Sequence, residues 1–261
     1  MTKEISQLYL QGKSGPEISK LLNIKVHQVY YQLELASISR RTNKENYQII
    51  LANSFKNIET EVEAYLLGIL LTDGQVQHNR HSSKLLRLDL VEKDRFPLEL
   101  LQDYLGLRNR IKIYKRSKPN QDVARIVIPS DILCNNLAKF GVVPNKTFDT
   151  TFPNICNSLY KHFIRGCSDG DGCFTGYHWK LTGTASLLVS IQEVLMRELE
   201  FNKTKLQTRH KDRNNNIRSL EYGGRKQLAK LYHYLYDDTK IFLKRKELKA
   251  YEIAERYLYT R

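Results

Sequence analysis

The sequence predicts an α+β protein made of two copies of one αββαββα unit behind a small all-α N-terminal domain. Residues 65–76 (YLLGILLTDGQV) and 163–174 (FIRGCSDGDGCF) share one pattern, a helix-like run broken by a glycine and closed by Asp-Gly. It aligns Gly68 with Gly166, Asp73 with Asp171 and Gly74 with Gly172, and the two aspartates stand 98 residues apart. That spacing is about the length of a small domain. After each copy, strand-like and helix-like stretches follow in the same order. A mid-helix glycine costs about 1 kcal/mol relative to alanine. Its repetition five residues before an aspartate points to two helices packed backbone to backbone, each delivering a carboxylate to one acidic centre.

Residues 1–41 read as three helices, near 3–11, 16–22 and from Val26, separated by Gly-Lys-Ser-Gly-Pro and Asn23-Ile24-Lys25 turns. Leu8, Ile18, Leu21, Leu22, Ile24, Val29 and Leu33 would form one small core. The arrangement resembles a helix-turn-helix with 26–35 as its recognition helix, His27, Gln28, Tyr31 and Gln32 lying on the outer face. A trihelical packing module that touches no DNA is the alternative. Residues 42–57 read as connector. The first repeat then opens at Thr60-Glu61-Val62-Glu63, a capping-box signature, and its helix runs to Asp73. Strands are expected near 75–79, 85–91, 110–116 and 123–128, with helices near 94–105 and 131–139. The second repeat replays this order: a helix at 158–170, strands near 173–181, a helix at 185–200, strands near 204–210 and 217–223, and a helix at 225–236. A helix at 247–258 closes the chain. The resulting boundaries are 1–45, a linker at 46–58, a first repeat at 59–150 and a second repeat at 151–261.

Charge narrows the class of partner. The formal net charge is +14, with 16 Lys/Arg against 7 Asp/Glu in 203–261 and near balance through the middle of the chain. A local cationic excess favours a polyanion, because neutralising phosphates releases condensed counterions. No apolar run approaches about 18 residues and no signal peptide is evident, so no membrane partner is expected. An intracellular protein, cytoplasmic or organellar and not secreted, is the expectation. The four cysteines (Cys134, Cys156, Cys167, Cys173) have no zinc-ligand spacing and read as reduced thiols, mostly buried.

Two strands alternate. Ile111 and Ile113 would face a core while Arg110, Lys112 and Tyr114 face outward. In 204–211, Thr204, Leu206 and Thr208 share one side and Lys205, Gln207, Arg209 and Lys211 the other. Such a cationic, amide-bearing face fits a major groove, where Arg reads guanine and Gln adenine; an ordinary solvated face is the alternative for either strand alone.

The paired motifs resemble the LAGLIDADG homing endonucleases in their single-chain, two-motif form. Residues 66–74 (LLGILLTDG) keep the glycine, the final aspartate and the last glycine but carry Leu71 in place of the first aspartate; 164–172 (IRGCSDGDG) keep both aspartates. Residues 141–153 and 235–247 also look like family segments, and the resemblance covers roughly 59–250. It implies a pseudo-symmetric monomer whose two sheets form a DNA-binding saddle. Asp73 and Asp171 are then the catalytic aspartates, holding Mg2+ with the main-chain carbonyls of Thr72 and Gly170. One basic residue per repeat, Lys146 and Lys246, would steer water or offset phosphate charge, simple contacts to the backbone phosphates being the alternative. Lys244 and Arg245 are near-equivalents, and Glu92 and Thr184 lie near the expected water-positioning places. Asp169, aligned with Leu71, is assigned a structural role. The implied activity is Mg2+-dependent cleavage of both strands of a long asymmetric double-stranded target, leaving 3′ overhangs. The alternatives are a maturase acting on group I intron RNA and a non-catalytic DNA-binding regulator.

Overall fold

The computed structural model describes residues 1–78, 83–108, 110–116, 121–145, 150–208 and 216–258. They fall into two compact units, Met1–Asn53 and Ser54–Arg261. Among the described residues no helix is long and apolar enough to cross a membrane. All four cysteines are free; Cys134 and Cys167 are buried but Cys156 and Cys173 are exposed, so half rather than most of the thiols are buried.

The first unit holds α1 (Thr2–Leu10), α2 (Gly15–Leu22), α3 (Val26–Leu35) and α4 (Asn43–Asn53). A capping box starts α2: the Ser14 hydroxyl accepts the Glu17 amide at 3.4 Å and the Glu17 carboxylate accepts the Ser14 amide at 2.6 Å. The helix stops at Asn23, in the left-handed region at φ +50°, a conformation asparagine tolerates better than most residues. Ile5, Tyr9, Ile18, Val29 and Leu33 form the core, flanked by Leu8, Leu22 and Ile24. Leu21, expected in that core, is 57% exposed; Ile18 and Leu22, four apart, define the buried stripe of α2 and leave it to one side. Residues 43–53, read as connector, form α4. Its start carries the same signature as Thr60–Glu63: the Thr42 amide donates to Glu45 at 2.7 Å and the Glu45 amide to the Thr42 hydroxyl at 3.2 Å.

The second unit shows the duplication. Its first half runs α5 (Glu61–Thr72), β1 (Gly74–His78), β2 (Lys84–Val91), α6 (Phe96–Tyr104), β3 (Lys112–Tyr114), β4 (Val123–Pro129), α7 (Asp131–Ala138). Its second half runs α8 (Tyr160–Asp171), β5 (Gly172–Thr175), β6 (His178–Thr184), α9 (Ala185–Leu199), β7 (Gln207–Thr208), β8 (Ile217–Gly223), α10 (Arg225–Tyr236). Helix α11 (Lys244–Leu258) follows. Both halves realise the expected αββαββα order, and their antiparallel sheets have matching strand orders, β1-β2-β4-β3 and β5-β6-β8-β7. The capping box at Thr60 forms as the sequence implies, with the Glu63 amide 3.3 Å from the Thr60 hydroxyl and the Thr60 amide 3.0 Å from the Glu63 carboxylate.

Alternation in the strands builds the core. Leu86, Leu88, Ile126 and Ile128 point to one face of the first sheet, paired Leu88 with Ile126 and Leu86 with Ile128, and all are buried. Helices α6 and α7 pack on β4 and β2. In the second sheet Trp179 stacks on its cross-strand partner Tyr222 (interplanar angle 16°), Leu181 pairs with Leu220, and α9 covers β6 and β8. Two expected strands begin later than the sequence suggested. β3 has three residues, and Ile113, expected in the core, is 38% exposed because β3 is an edge strand of its sheet. β7 keeps Gln207 and Thr208, and residues 209–211 lie outside the described residues.

Candidate active site

The two motif helices cross at their glycines. A Cβ on Gly68 would stand 2.7 Å from the Cys167 amide nitrogen and overlap the Phe163 carbonyl; one on Gly166 would stand 3.0 Å from Gly68 Cα and overlap the Tyr65 carbonyl. Real Cβ atoms do not approach backbone so closely, so α5 and α8 touch main chain to main chain. Around the crossing, Ala64, Leu66, Leu67, Ile69, Ile164 and Cys167 are buried, and from Ala64 to Leu71 α5 is apolar on all sides, as befits a segment buried all round.

Downstream of the crossing, the helix ends meet. Asp73 caps α5 and Asp171 is the last residue of α8. A Cβ on Gly170 would stand 2.7 Å from Asp73 Oδ2 and overlap the Thr72 hydroxyl, so the Asp73 carboxylate lies against the residue preceding Asp171. Thr72 Oγ1 is within hydrogen-bond distance of Asp73 Oδ2 (3.0 Å) and the Ile69 carbonyl (2.9 Å). Two carboxylates at two helix C-termini, where main-chain carbonyls add negative charge, make a site that attracts a cation.

A cation of the chain already reaches it. Lys246, in the first turn of α11, donates to the carbonyls of Ser168 (3.1 Å), Gly170 (2.9 Å) and Gly172 (2.8 Å). An ammonium has three protons, and three acceptors surround this one. Burial, outweighing the nearby carboxylates, pulls the Lys246 ammonium below the ordinary lysine range. Its sequence neighbours separate clearly: Lys244 pairs with Glu247 at 2.7 Å, and Arg245 makes a two-point ion pair with Asp94 (3.1 and 2.7 Å). Of the three basic residues only Lys246 touches the acidic helix end. Lys146 lies outside the described residues. The Gly170 carbonyl, expected as a metal ligand, is engaged by Lys246.

Two other buried polar residues of α8 set this geometry. Asp169 accepts the Leu243 amide (2.7 Å), the Tyr65 hydroxyl (2.9 Å) and the Tyr236 hydroxyl (3.4 Å). Complete burial pushes its carboxyl up to about 6 against the pull of those donors. Arg165, with no exposed side-chain surface, donates to the carbonyls of Ile241 (2.7 Å) and Leu235 (2.9 Å) and to Glu61 at the start of α5 (2.7 Å). Trp179 donates to the Ser168 hydroxyl at 2.9 Å, tying β6 to the same helix. Thr184, expected near a water-positioning place, is instead the buried cap of α9: it accepts the Leu187 amide and donates to the Thr150 carbonyl. Glu92 is half-buried in a 3-10 turn after β2.

The outward sheet faces begin two residues beyond each aspartate. Register places Gln75, Gln77, Arg87, Asp89, Arg125, Lys112 and Tyr114 on one face of the first sheet. Asp89 binds Arg87 (3.0 Å) and Arg125 (2.8 Å), and the Arg125 guanidinium lies 4.5 Å over the Tyr114 ring. Partial burial works to raise the Asp89 carboxyl, but the two arginines outweigh it and hold it at about 2. On the second sheet Thr175, His178, Lys180, Thr182, Glu221 and Gln207 share the corresponding face, with Lys180 bonded to Glu221. Lys112, Tyr114, Lys205 and Gln207 are therefore exposed as the sequence suggested; Arg110 is exposed but precedes β3, and Arg209 and Lys211 lie outside the described residues. Sequence reasoning missed Gln75, Gln77, Arg87 and Arg125, although the alternation of KLLRLDLV and VARIVIP contains the arginines. In the first unit, His27, Gln28 and Tyr31 are exposed on α3. The Gln28 amide oxygen accepts the Lys25 amide at 2.9 Å, and Gln32, half-buried, accepts the Thr2 hydroxyl, so both glutamines already serve their own unit.

The donors at the helix ends are all hard oxygens. Among the described residues no group of three His, Cys, Asp or Glu is placed to hold a metal. Carboxylate oxygens of this kind are the donors of hard cations, which take the rest of their shell from water and phosphate.

No family model and no curated protein matches the chain by sequence. Among solved structures, the I-LtrWI LAGLIDADG homing endonuclease bound to target DNA is similar over 77% of this chain and 92% of its own, at 15% identity and TM-score 0.51. A lysine-to-alanine mutant of I-SmaMI is similar over 78% and 93%, at 13% identity and TM-score 0.50. Full-length DUF199/WhiA from Thermatoga maritima is similar over 84% and 71%, at 19% identity and TM-score 0.46.

Proposed function

The chain carries the two-motif LAGLIDADG fold, and from that premise we propose that it is a site-specific endonuclease hydrolysing both strands of a double-stranded DNA target with Mg2+ and leaving 3′ overhangs. The observation that supports this most is the meeting of Asp73 with the end of α8 beside Gly170 and Asp171. One chain supplies both aspartates, so a monomer suffices. The two outward faces differ, one centred on Arg87, Asp89 and Arg125 and the other on Lys180 and Glu221, so the target is long and asymmetric. The first unit adds contacts through His27, Gln28 and Tyr31, exposed on α3.

Asp73 and Asp171 would hold the metal, with the Thr72 carbonyl beside Asp73 as a further oxygen. The chemistry such an ion supplies is a more acidic water and neutralisation of charge on the phosphate. Thr72, through its hydroxyl, orients the Asp73 carboxylate. Lys246 offsets the negative end of α8 and fixes the turn into β5. The sheet faces hold the duplex so that one scissile phosphate comes to each aspartate.

A second reading is favoured by one contact: Lys246 engages the Gly170 carbonyl, so the chain can neutralise that helix end by itself. On this reading the protein binds duplex DNA without cutting it. Sequencing of DNA ends after incubation with genomic DNA from a relative lacking the gene decides between them. Ends at one locus with wild type and Mg2+, absent with EDTA and with the Asp73→Asn/Asp171→Asn variant, establish the endonuclease. Tight duplex binding without ends establishes the binding protein. Deleting residues 1–53 tests the first unit, which should leave cutting intact and weaken affinity; unchanged affinity removes it from the interface.

A further inference from the structure

The alignment of the two motifs leaves one buried acid without a counterpart. Asp169 stands where the first repeat has Leu71. It lies within the second unit's interior, 2% exposed, and its three donors come from three elements: Tyr65 of α5, Tyr236 of α10 and the main chain of Leu243. Leu243 is the residue from which α11 springs, since its carbonyl accepts the amides of Lys246 (2.8 Å) and Glu247 (3.0 Å). One turn later, the Lys246 ammonium returns to the helix that carries Asp169, bonding the carbonyls on either side of it and beyond.

We propose that Asp169 is a positioning residue: by holding the Leu243 amide it fixes the first turn of α11, and so sets Lys246 on the α8 terminus that ends in Asp171. The loop is closed and short. Asp169 fixes Leu243, Leu243 starts the helix, and Lys246 completes the circuit at Ser168, Gly170 and Gly172. The tyrosine hydroxyls aim the carboxylate, so that its remaining acceptor capacity points at the amide rather than into the apolar interior. The ion pair of Arg245 with Asp94 anchors the same turn from its other side. No carboxylate can act this way in the first repeat, where Leu71 offers no acceptor. The two halves of the acidic centre are therefore held by different means, and the second is the more rigidly specified.

The clamp stands on geometry alone; its effect on cutting rests on the endonuclease reading. The test on the full chain is the rate of lysine acetylation, read residue by residue by mass spectrometry, in wild type, Asp169→Leu and Asp169→Asn. Exposed Lys205 is the reference, and unreactive Cys134, buried in α7, reports that the fold has not loosened as a whole. A hydrogen bond to a charged group contributes about 1.5–3 kcal/mol, so freeing Lys246 in Asp169→Leu should raise its rate about tenfold or more relative to Lys205. Asp169→Asn keeps an acceptor for the Leu243 amide and should raise it less, about threefold. An unchanged Lys246 rate in folded Asp169→Leu overturns the proposal. Should that variant fail to fold, an unchanged rate in Asp169→Asn does so. Strand cutting is then measured separately under single turnover, with DNA affinity. A wild type with protected Lys246 that cuts nothing retires the endonuclease reading and leaves the clamp standing. A wild type that cuts, with Asp169→Leu freeing Lys246 yet cutting equally fast, retires the positioning role.

Discussion

At the end of α5, the residue two before the aspartate is Leu71, buried, its Cδ2 3.6 Å from where a Cβ on Gly141 would stand. At the end of α8 the same place is Asp169, holding a main-chain amide and two tyrosine hydroxyls. The first repeat thus seats its returning chain on an apolar side chain, and the second fastens it with hydrogen bonds. Apolar contact is non-directional; a fully satisfied buried polar network is directional and specifies one geometry. The duplicated fold has kept its helix crossing and strand order while the two halves of its acidic centre have come to rest on different kinds of interaction.

The largest expected effect tests whether that difference reaches the chemistry. Asp73→Asn and Asp171→Asn should each slow cutting about 10³-fold, roughly 4 kcal/mol of barrier, with duplex affinity little changed. Strand-resolved single-turnover assays check this, and full activity in either variant would remove that aspartate from the site. Next in size is the symmetric part of the comparison. Gly68→Val and Gly166→Val push a side chain into facing backbone and should each cost roughly 3 kcal/mol in urea denaturation, the upper end of ordinary overpacking. Clearly unequal costs would mean that the crossing is less symmetric than its two glycines suggest. A smaller effect concerns α8 alone. Burial, aided by the Arg165 guanidinium, pulls the His162 imidazole down to about 4, so between pH 6.5 and 4 the unfolded chain binds the extra proton. Stability from this group is present above pH 6.5 and is lost as pH falls towards 4. Wild type should lose melting temperature against His162→Gln through that window, and parallel curves would remove His162 as the cause. Smallest is the exposed tie between the halves: Arg245→Ala should cost about 1 kcal/mol or less, and less still at high salt.

Much of this was readable from residue order. The two motifs, their shared αββαββα order, the helix crossing and the capping box at Thr60 all follow from local pattern, because glycine spacing, period-two alternation and capping are local properties. α4 was missed although Thr42-Asn43-Lys44-Glu45 has the same capping signature; its weak apolar stripe hid it. Ile113 was misassigned because alternation does not reveal which strand is at an edge. Lys246 could be named from its place in the chain, but its three carbonyl partners belong to residues over 70 positions away. Asp169 was recognised as structural without its purpose, since all its donors are non-local. Arg87 and Arg125 are legible in the alternation of their strands, but their joint hold on Asp89 depends on a cross-strand register that sequence alone leaves open.

The contact of Arg165 with Glu61 has a consequence for ancestry. With the motifs aligned, Arg165 corresponds to Leu67 and Glu61 to Leu159, so the bond has no mirror image. Two copies of the second repeat, joined through the same crossing, would leave each guanidinium its main-chain carbonyls but put a leucine where its carboxylate stands, and a buried charge stripped of its counter-charge is strongly destabilising. Two copies of the first repeat would lack the arginine altogether. If the fold began as a pair of identical chains, this exchange of leucines for a complementary charge pair is a step that cannot be retraced by either half alone: it made partners of what had been twins.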